Sequence, residues 1–281
     1  MEIVIEKREV VACPKNCGSK DSIQTAPVRP FILPKVKATE SLLAHIAVSK
    51  VLDRQPLYHL EKKFEREHGW LIKRHTMSRW LIQLAEPLMR LVNFMRDEVR
   101  AYDVAYADGT HLQILDEPAR AIGKKNEVYC LRGGAPGKEV SLYDYNAYSD
   151  KEFLTDFFTD FEGTVHTDAE NVFHTVAALP DVRLSLCHAH ARRKFEAIYK
   201  SVKKKDGLAK QALRYWQALY AIERDAKDRD LTHAKIYELR QEKSAPLIAE
   251  FKAWLDAKSQ IVLPKSPLGK AFAYTLKHWK G

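Results

Sequence analysis

In the stretch TVHTDAENVF, residues 164–173, a short apolar run ends at Thr167, Asp168 follows at once, and a helix-like segment begins near Glu170. An acid at a strand-to-helix junction has two ordinary uses. It can form the turn or cap the helix, because a short carboxylate accepts hydrogen bonds from the next backbone N–H groups. It can also be one arm of a cation site, which needs a second carboxylate delivered by a neighbouring strand.

Working outward, the preceding segment YDVAYADGTHLQIL, residues 102–115, alternates in the two-residue period of a strand and pauses at Asp108-Gly109. KKNEVYCLRGG (124–134) and KEVSLYDYNAY (138–148) follow as short runs separated by glycine-rich turns. The three runs predict antiparallel strands, with RGGAPG a hairpin turn rather than a phosphate cradle. SDKEFLTDFF (149–158) predicts a helix capped by Ser149, and after the strand carrying Asp168 come a short helix, the strand VRLSLC (182–187) and the basic helix HAHARRKFEAIYKSVKKK (188–205). Ala191, Phe195, Ile198 and Val202 form the expected buried side of that last helix. Three strands, helix, strand, helix, strand, helix is the order of an α/β, ribonuclease H-like mixed sheet. In that order the strands bearing Asp108 and Asp168 are neighbours, so both carboxylates would leave the same end of the sheet. Paired acids suit phosphoryl transfer, in which two hard cations about 4 Å apart activate the attacking oxygen and stabilise the leaving one. Mg²⁺ or Mn²⁺ is the expected ion, with Asp108 and Asp168 as metal-binding and catalytic residues.

The segment before the sheet is helical. ATESLLAHIAVSKVL (38–52) starts with Thr39 as a cap and places Leu42, Leu43, Ile46 and Val51 at helical spacing. In QPLYHLEKKFEREHGW (55–70), Leu57, Leu60 and Phe64 share a face and Gly69 is the stop. HTMSRWLIQLAEPLMRLV (75–92) follows, with Thr76 as its expected cap and Met77, Trp80, Leu81 and Leu84 in one stripe. A helix, a glycine turn and a second helix is the layout of a helix-turn-helix reader of the major groove, and equally of a plain helical hairpin. On the first reading Lys73, Arg74, His75, Ser78, Arg79 and Gln83 face DNA, with Arg192 and Arg193 available to phosphate beside the sheet.

Residues 1–36 are irregular and proline-rich, forming a partial zinc-binding-like segment and linker, ahead of a helix-turn-helix region at 37–100 and a core at 101–281. Cys13 and Cys17 in CPKNC make half of a zinc knuckle at most, so zinc is not expected there. Cys187 and His190 have Cys-x-x-His spacing, but two ligands are too few for structural zinc, which leaves a packing or hydrogen-bonding role. From Gly207 to Ser259 the pattern is one of long helices with charged faces. Ser266 and Pro267 then open a final helix whose stripe through Leu268, Ala271, Phe272, Leu276 and Trp279 is expected to lack a partner.

The chain has 46 Lys and Arg against 37 Asp and Glu, a formal charge of +9, which favours a polyanionic partner. Four cysteines in 281 residues are no disulfide framework, and no apolar run is long enough for a bilayer. A cytoplasmic, nucleoid-associated protein is expected, with no membrane partner.

Taken together, these segments resemble a transposase of the insertion sequence 66 family over nearly the whole chain. ACPKNCG resembles the latter half of that family's N-terminal zinc segment. SLLAHIAVSKVLDRQPLYHLEKKFEREHG with HTMSRW resembles its helix-turn-helix region, and ADGTHLQIL, HTDAENVF, CHAHARRKF and LPKSPLGKAFAYTLKHW resemble successive motifs of its catalytic core. The resemblance implies that Asp108 and Asp168 match the first two acids of an Asp-Asp-Glu triad, and that Cys187 and His190 match the Cys-x-x-His pair between the second and third. It implies double-stranded DNA as partner, at element ends and target, with a homo-oligomer assembled on it. The family usually has Glu where this chain has Gly109, and its third acid lies downstream of AYTLKHWKG. The expectation is therefore a strand-cleaving and strand-transferring enzyme by descent, inactive or dependent on a missing segment in this form. The alternative is a non-catalytic DNA-binding remnant that occupies element ends.

Overall fold

The structure, a computed structural model, describes residues 4–12, 23–27, 29–112, 126–146, 152–202 and 207–280. Cys13, Cys17 and Ser149 lie outside them. The chain divides into two units between Phe94 and Met95.

The first unit has a two-stranded antiparallel ribbon, β1 (Val10–Ala12) and β2 (Ile23–Thr25), and two helices, α1 (Glu40–Val51) and α2 (Leu57–His68). It also holds most of α3 (Arg74–Arg100). The Thr39 hydroxyl accepts from the Leu42 N–H and caps α1. Gly69 ends α2 at φ +67°, a left-handed conformation that costs glycine nothing. Leu43, Ile46, Leu60, Phe64, Met77 and Leu84 are buried, as their spacing predicts. Two expectations fail here. Val51 is 76% exposed, because it falls on the last residue of α1. Thr76 is no cap, because α3 begins two residues earlier, and the Glu61 carboxylate of α2 accepts from the Arg74 N–H at 2.8 Å instead.

The second unit is built on a five-stranded mixed sheet. Its strands are β3 (Val104–Leu112), β4 (Asn126–Gly133), β5 (Val140–Asn146), β6 (Gly163–Thr167) and β7 (Val182–Leu186), in the spatial order β5-β4-β3-β6-β7. β3, β4 and β5 are antiparallel, whereas β6 and β7 run parallel to β3. Two short helices, α4 (Glu152–Phe157) and α5 (Phe173–Val176), connect the later strands. Their Leu154, Phe157, Phe173 and Val176 join Ala105, Ala107, Tyr129, Leu131, Leu142 and Val165 in one apolar core. At the start of β6 the Thr164 N–H bonds the Asp103 carbonyl, and a Cβ on Gly163 (φ +151°) would lie 2.3 Å from that same oxygen. Only glycine lets β6 enter the sheet here. β3 does not pause at Asp108-Gly109: β4 pairs with it from Tyr106 to Leu112 and carries the strand through. The helix expected near Glu170 starts at Phe173, because residues 168–172 are taken up by the turn after β6.

The remaining helices are α6 (His188–Val202), α7 (Leu208–Asp228), α8 (His233–Leu239), α9 (Ala245–Ser259) and α10 (Pro267–Lys277), with a π-helical turn at Arg240–Ser244 between α8 and α9. Their core is aromatic: Phe195, Trp216, Phe251 and Phe272 are all fully buried. The Ser266 hydroxyl caps α10 by accepting from the Gly269 N–H. The stripe through Trp279 has its partner, since the Trp279 ring meets Phe251 edge-on at 5.6 Å. α10 also stops at Lys277 rather than running to the last residue. Val202 is 64% exposed, the last residue of α6 lying beyond the packed turns.

Candidate metal centre

β3 and β6 are hydrogen-bonded in parallel up to the pair Tyr106 and His166. One side-chain period further on come Asp108 on β3 and Asp168 directly after the end of β6, close together beyond Tyr106 and His166. β7 ends at Leu186, and the Cys187 N–H bonds the Thr167 carbonyl at 2.7 Å, fixing the start of α6 beside the end of β6. That junction swings His190, in the first turn of α6, over the two acids. A carboxylate oxygen from each of Asp108 and Asp168 and a ring nitrogen of His190 all lie within 4.8 Å of one another. His190 Nδ1 is buried with no hydrogen-bond partner among the described residues. A buried imidazole nitrogen without a partner is costly, and a cation or a proton shared with a neighbour removes the cost.

Asp168 also does what the plainer reading expects. Its Oδ1 accepts from the Glu170 N–H at 2.9 Å, holding the turn after β6. One such bond leaves most of a carboxylate's acceptor capacity in place, so the turn-forming and cation-binding uses are compatible. Glu170, brought close by this turn, has its carboxyl pushed above the ordinary range by burial and then by the charges of Asp168 and Asp108. Tyr274, from α10, lines a hollow with Ala169, and its phenol is pushed up by burial and by the Asp168 charge, against the lowering effect of the Ala169 backbone N–H. The Lys194 ammonium sits 4.2 Å over the Tyr274 ring. Burial holds both His166 and His188 below the usual imidazole value, with His188 and His190 adding to the effect at His166.

The spacing of Cys187 and His190 predicts a shared packing or hydrogen-bonding role, whereas in the structure His190 reaches the acids and Cys187 lines a small hollow with Tyr274, His278 and Trp279. Glu170 and Tyr274 were missed. Glu170 carries a signal, being two residues past the acid at a tight turn, whereas Tyr274 is 106 positions away from Asp168 and carries none. At the start of α3, His75, Arg79 and Gln83 are exposed at four-residue spacing and form one strip, with Arg74 also exposed and Ser78 half-buried. Lys73 Nζ lies 3.5 Å from Glu61. On α6, Arg193 is exposed, while Arg192 is engaged by Glu196 at 2.8 Å.

Sheet and cluster together define a mixed α/β protein with a carboxylate and imidazole centre at the end of its central strands. Residues 35–281 match the family described as Transposase IS66 family, and the chain belongs to that family. Among similar proteins of Sinorhizobium fredii, the one named Uncharacterized protein y4jD is 29% identical over 280 residues, which is 93% of this chain and 52% of that protein. Uncharacterized protein y4qI is 26% identical over 253 residues, 85% of this chain and 45% of its own. Uncharacterized protein y4hP is 26% identical over 287 residues, 95% and 50%. The chain thus spans about half the length of these relatives. Among the described residues no helix is long and apolar enough to cross a membrane.

Proposed function

We propose that this chain carries the metal-dependent DNA cleavage and strand-transfer centre of an insertion-sequence transposase, on a ribonuclease H-like core preceded by a helix-turn-helix region. The observation that carries the reading is the convergence of Asp108, Asp168 and His190 from β3, the end of β6 and α6. The strand order β5-β4-β3-β6-β7, with an antiparallel half and a parallel half, supports the core assignment.

The donor set fits a divalent cation. Carboxylate oxygens suit Mg²⁺ and Mn²⁺, and the imidazole tilts the preference toward Mn²⁺. Asp108, Asp168 and His190 would hold it, and when bound it supplies Lewis-acid activation of an attacking oxygen and charge neutralisation at phosphate. The chain's own residues set the geometry. Cys187, through its bond to Thr167, aligns the start of α6 with β6, and Tyr274 lines a hollow with Ala169, directly after Asp168. Glu170, its carboxyl raised chiefly by burial, stands on the turn that Asp168 holds. Double-stranded DNA at element ends and target is the substrate, met by the His75, Arg79 and Gln83 strip, and the active form is an oligomer on that DNA.

Calorimetric titration with Mn²⁺ and Mg²⁺ tests the centre. Saturable binding is expected, weakened more than about tenfold in Asp108→Asn, Asp168→Asn and His190→Ala. Binding that is absent, or indifferent to all three substitutions, would leave the non-catalytic DNA-binding reading in its place.

A further inference from the structure

The two faces of the sheet differ. One is buried in the core with Ala105, Ala107, Tyr129 and Leu131. On the other, the strand registers align Ser141, Arg132, Tyr106, His166 and Ser185 in one row across all five strands, and Tyr143, Cys130 and Asp108 in the next. This second face is aromatic yet open: Tyr106 is 48% exposed and Tyr143 74%. Beside Tyr106 lies a hollow of about 510 Å³ whose walls include Tyr102, Tyr106, Arg132, Pro136 and His233. The Tyr106 ring is braced edge-on by His166 at 5.5 Å, so it presents a fixed face. Arg132 is exposed and shares the hollow's wall with Glu139, whose carboxyl is lowered first by backbone N–H groups, its own and that of Gly137, and only last by that guanidinium.

Phenol rings with a guanidinium beside them match a nucleotide, the rings stacking on a base and the cation meeting phosphate. The volume falls in the range of small-ligand sites. Tyr106 is two residues from Asp108 on the same strand face, about 7 Å along it, close to one nucleotide step of an extended strand. A base inside a duplex already has both faces stacked, so only an unpaired one can lie on a side-chain ring. We propose that this hollow holds an unpaired nucleotide of the DNA strand whose phosphate lies at Asp108, Asp168 and His190, with its base on Tyr106 and its phosphate on Arg132. The proposal rests on the DNA-processing reading of the centre and assigns it a single-stranded flank.

The test is fluorescence anisotropy of the full chain, without divalent cation, against three probes: a labelled single strand, the same strand made of abasic sites, and a duplex. The single strand is expected to bind at least about fivefold tighter than the abasic strand, because one stacked base contributes that much or more. Tyr106→Ala should abolish the difference, Tyr106→Phe should keep it, and duplex affinity should stay unchanged in both. Arg132→Ala should weaken the intact and abasic single strands alike. Thermal melting checks that the variants fold, and cross-linking of a 5-iodouracil strand to the unaltered chain should mark Tyr102 or Tyr106. Equal affinity for intact and abasic strands, or a cross-link only elsewhere, overturns the proposal while leaving duplex binding intact. Failure to bind any of the three probes overturns it together with the DNA-processing reading.

Discussion

Gly109 stands directly after Asp108, and its neighbour across the ladder is Tyr129. A Cβ on Gly109 would lie 3.3 Å from Tyr129 Cε1. That ring cannot retreat easily: it is fully buried, stacked on Phe153 at 5.5 Å and set edge-on to Phe173 at 6.3 Å, with its hydroxyl on Glu127. The space a side chain at 109 would use, on the core face of the sheet, is thus filled by a tyrosine from the next strand. Gly109→Glu forces a large side chain against a packed ring and should destabilise the chain by about 2 kcal/mol, read as a lower midpoint in urea unfolding. Pairing it with Tyr129→Ala should recover part of that loss rather than add the full cost of emptying the site, because the two positions share one volume. Strict additivity in the double variant would mean they do not compete.

At the scale of elements, α3 starts where it does because of α2. The Glu61 carboxylate takes the Arg74 N–H and lies 3.5 Å from the Lys73 ammonium, and these contacts hold its pKa below the ordinary 4.5, the Arg74 N–H being the larger cause. A carboxyl lowered on folding contributes stability in full above its ordinary pKa and loses it as pH falls through the folded value. Glu61→Ala should therefore lower the thermal midpoint at neutral pH, and the gap from the unaltered chain should close as pH drops below 4.5. A gap that persists in acid would assign the effect to packing. No local pattern announces such a cap, since its acceptor sits thirteen residues back on another helix, and the local candidate Thr76 lies inside the helix. Elsewhere the elements were legible because their determinants are local: the two-residue alternation of β3 and β4, the glycine turn between β4 and β5, the hydroxyls of Thr39 and Ser266. The two acids could be read from strand order, and Tyr106 and His166 share their side by being two residues earlier on the same strands. His190 could not be placed over them, because its approach depends on how α6 leaves β7 at Cys187. Nor could the covering of Trp279, which comes from Phe251 on a separate helix.

For the whole molecule, a charge of +9 predicts attraction to DNA but says nothing of where it is felt. The structure separates basic residues that remain available from those already engaged. Arg79 belongs to the exposed strip on α3 and Arg193 is exposed on α6, whereas Arg192 is tied to Glu196 at 2.8 Å on its own helix. Each phosphate contact releases condensed counterions, so removing one real contact should reduce the slope of log affinity against log salt by about 0.9 for duplex DNA. Arg79→Ala and Arg193→Ala should each show a reduction of that order in a filter-binding salt titration. Arg192→Ala should change the slope much less, because its guanidinium is already neutralised locally. If Arg79→Ala leaves the slope unchanged while Arg193→Ala lowers it, duplex DNA is met by the unit that carries Asp108, Asp168 and His190, and the α3 strip serves something other than phosphate.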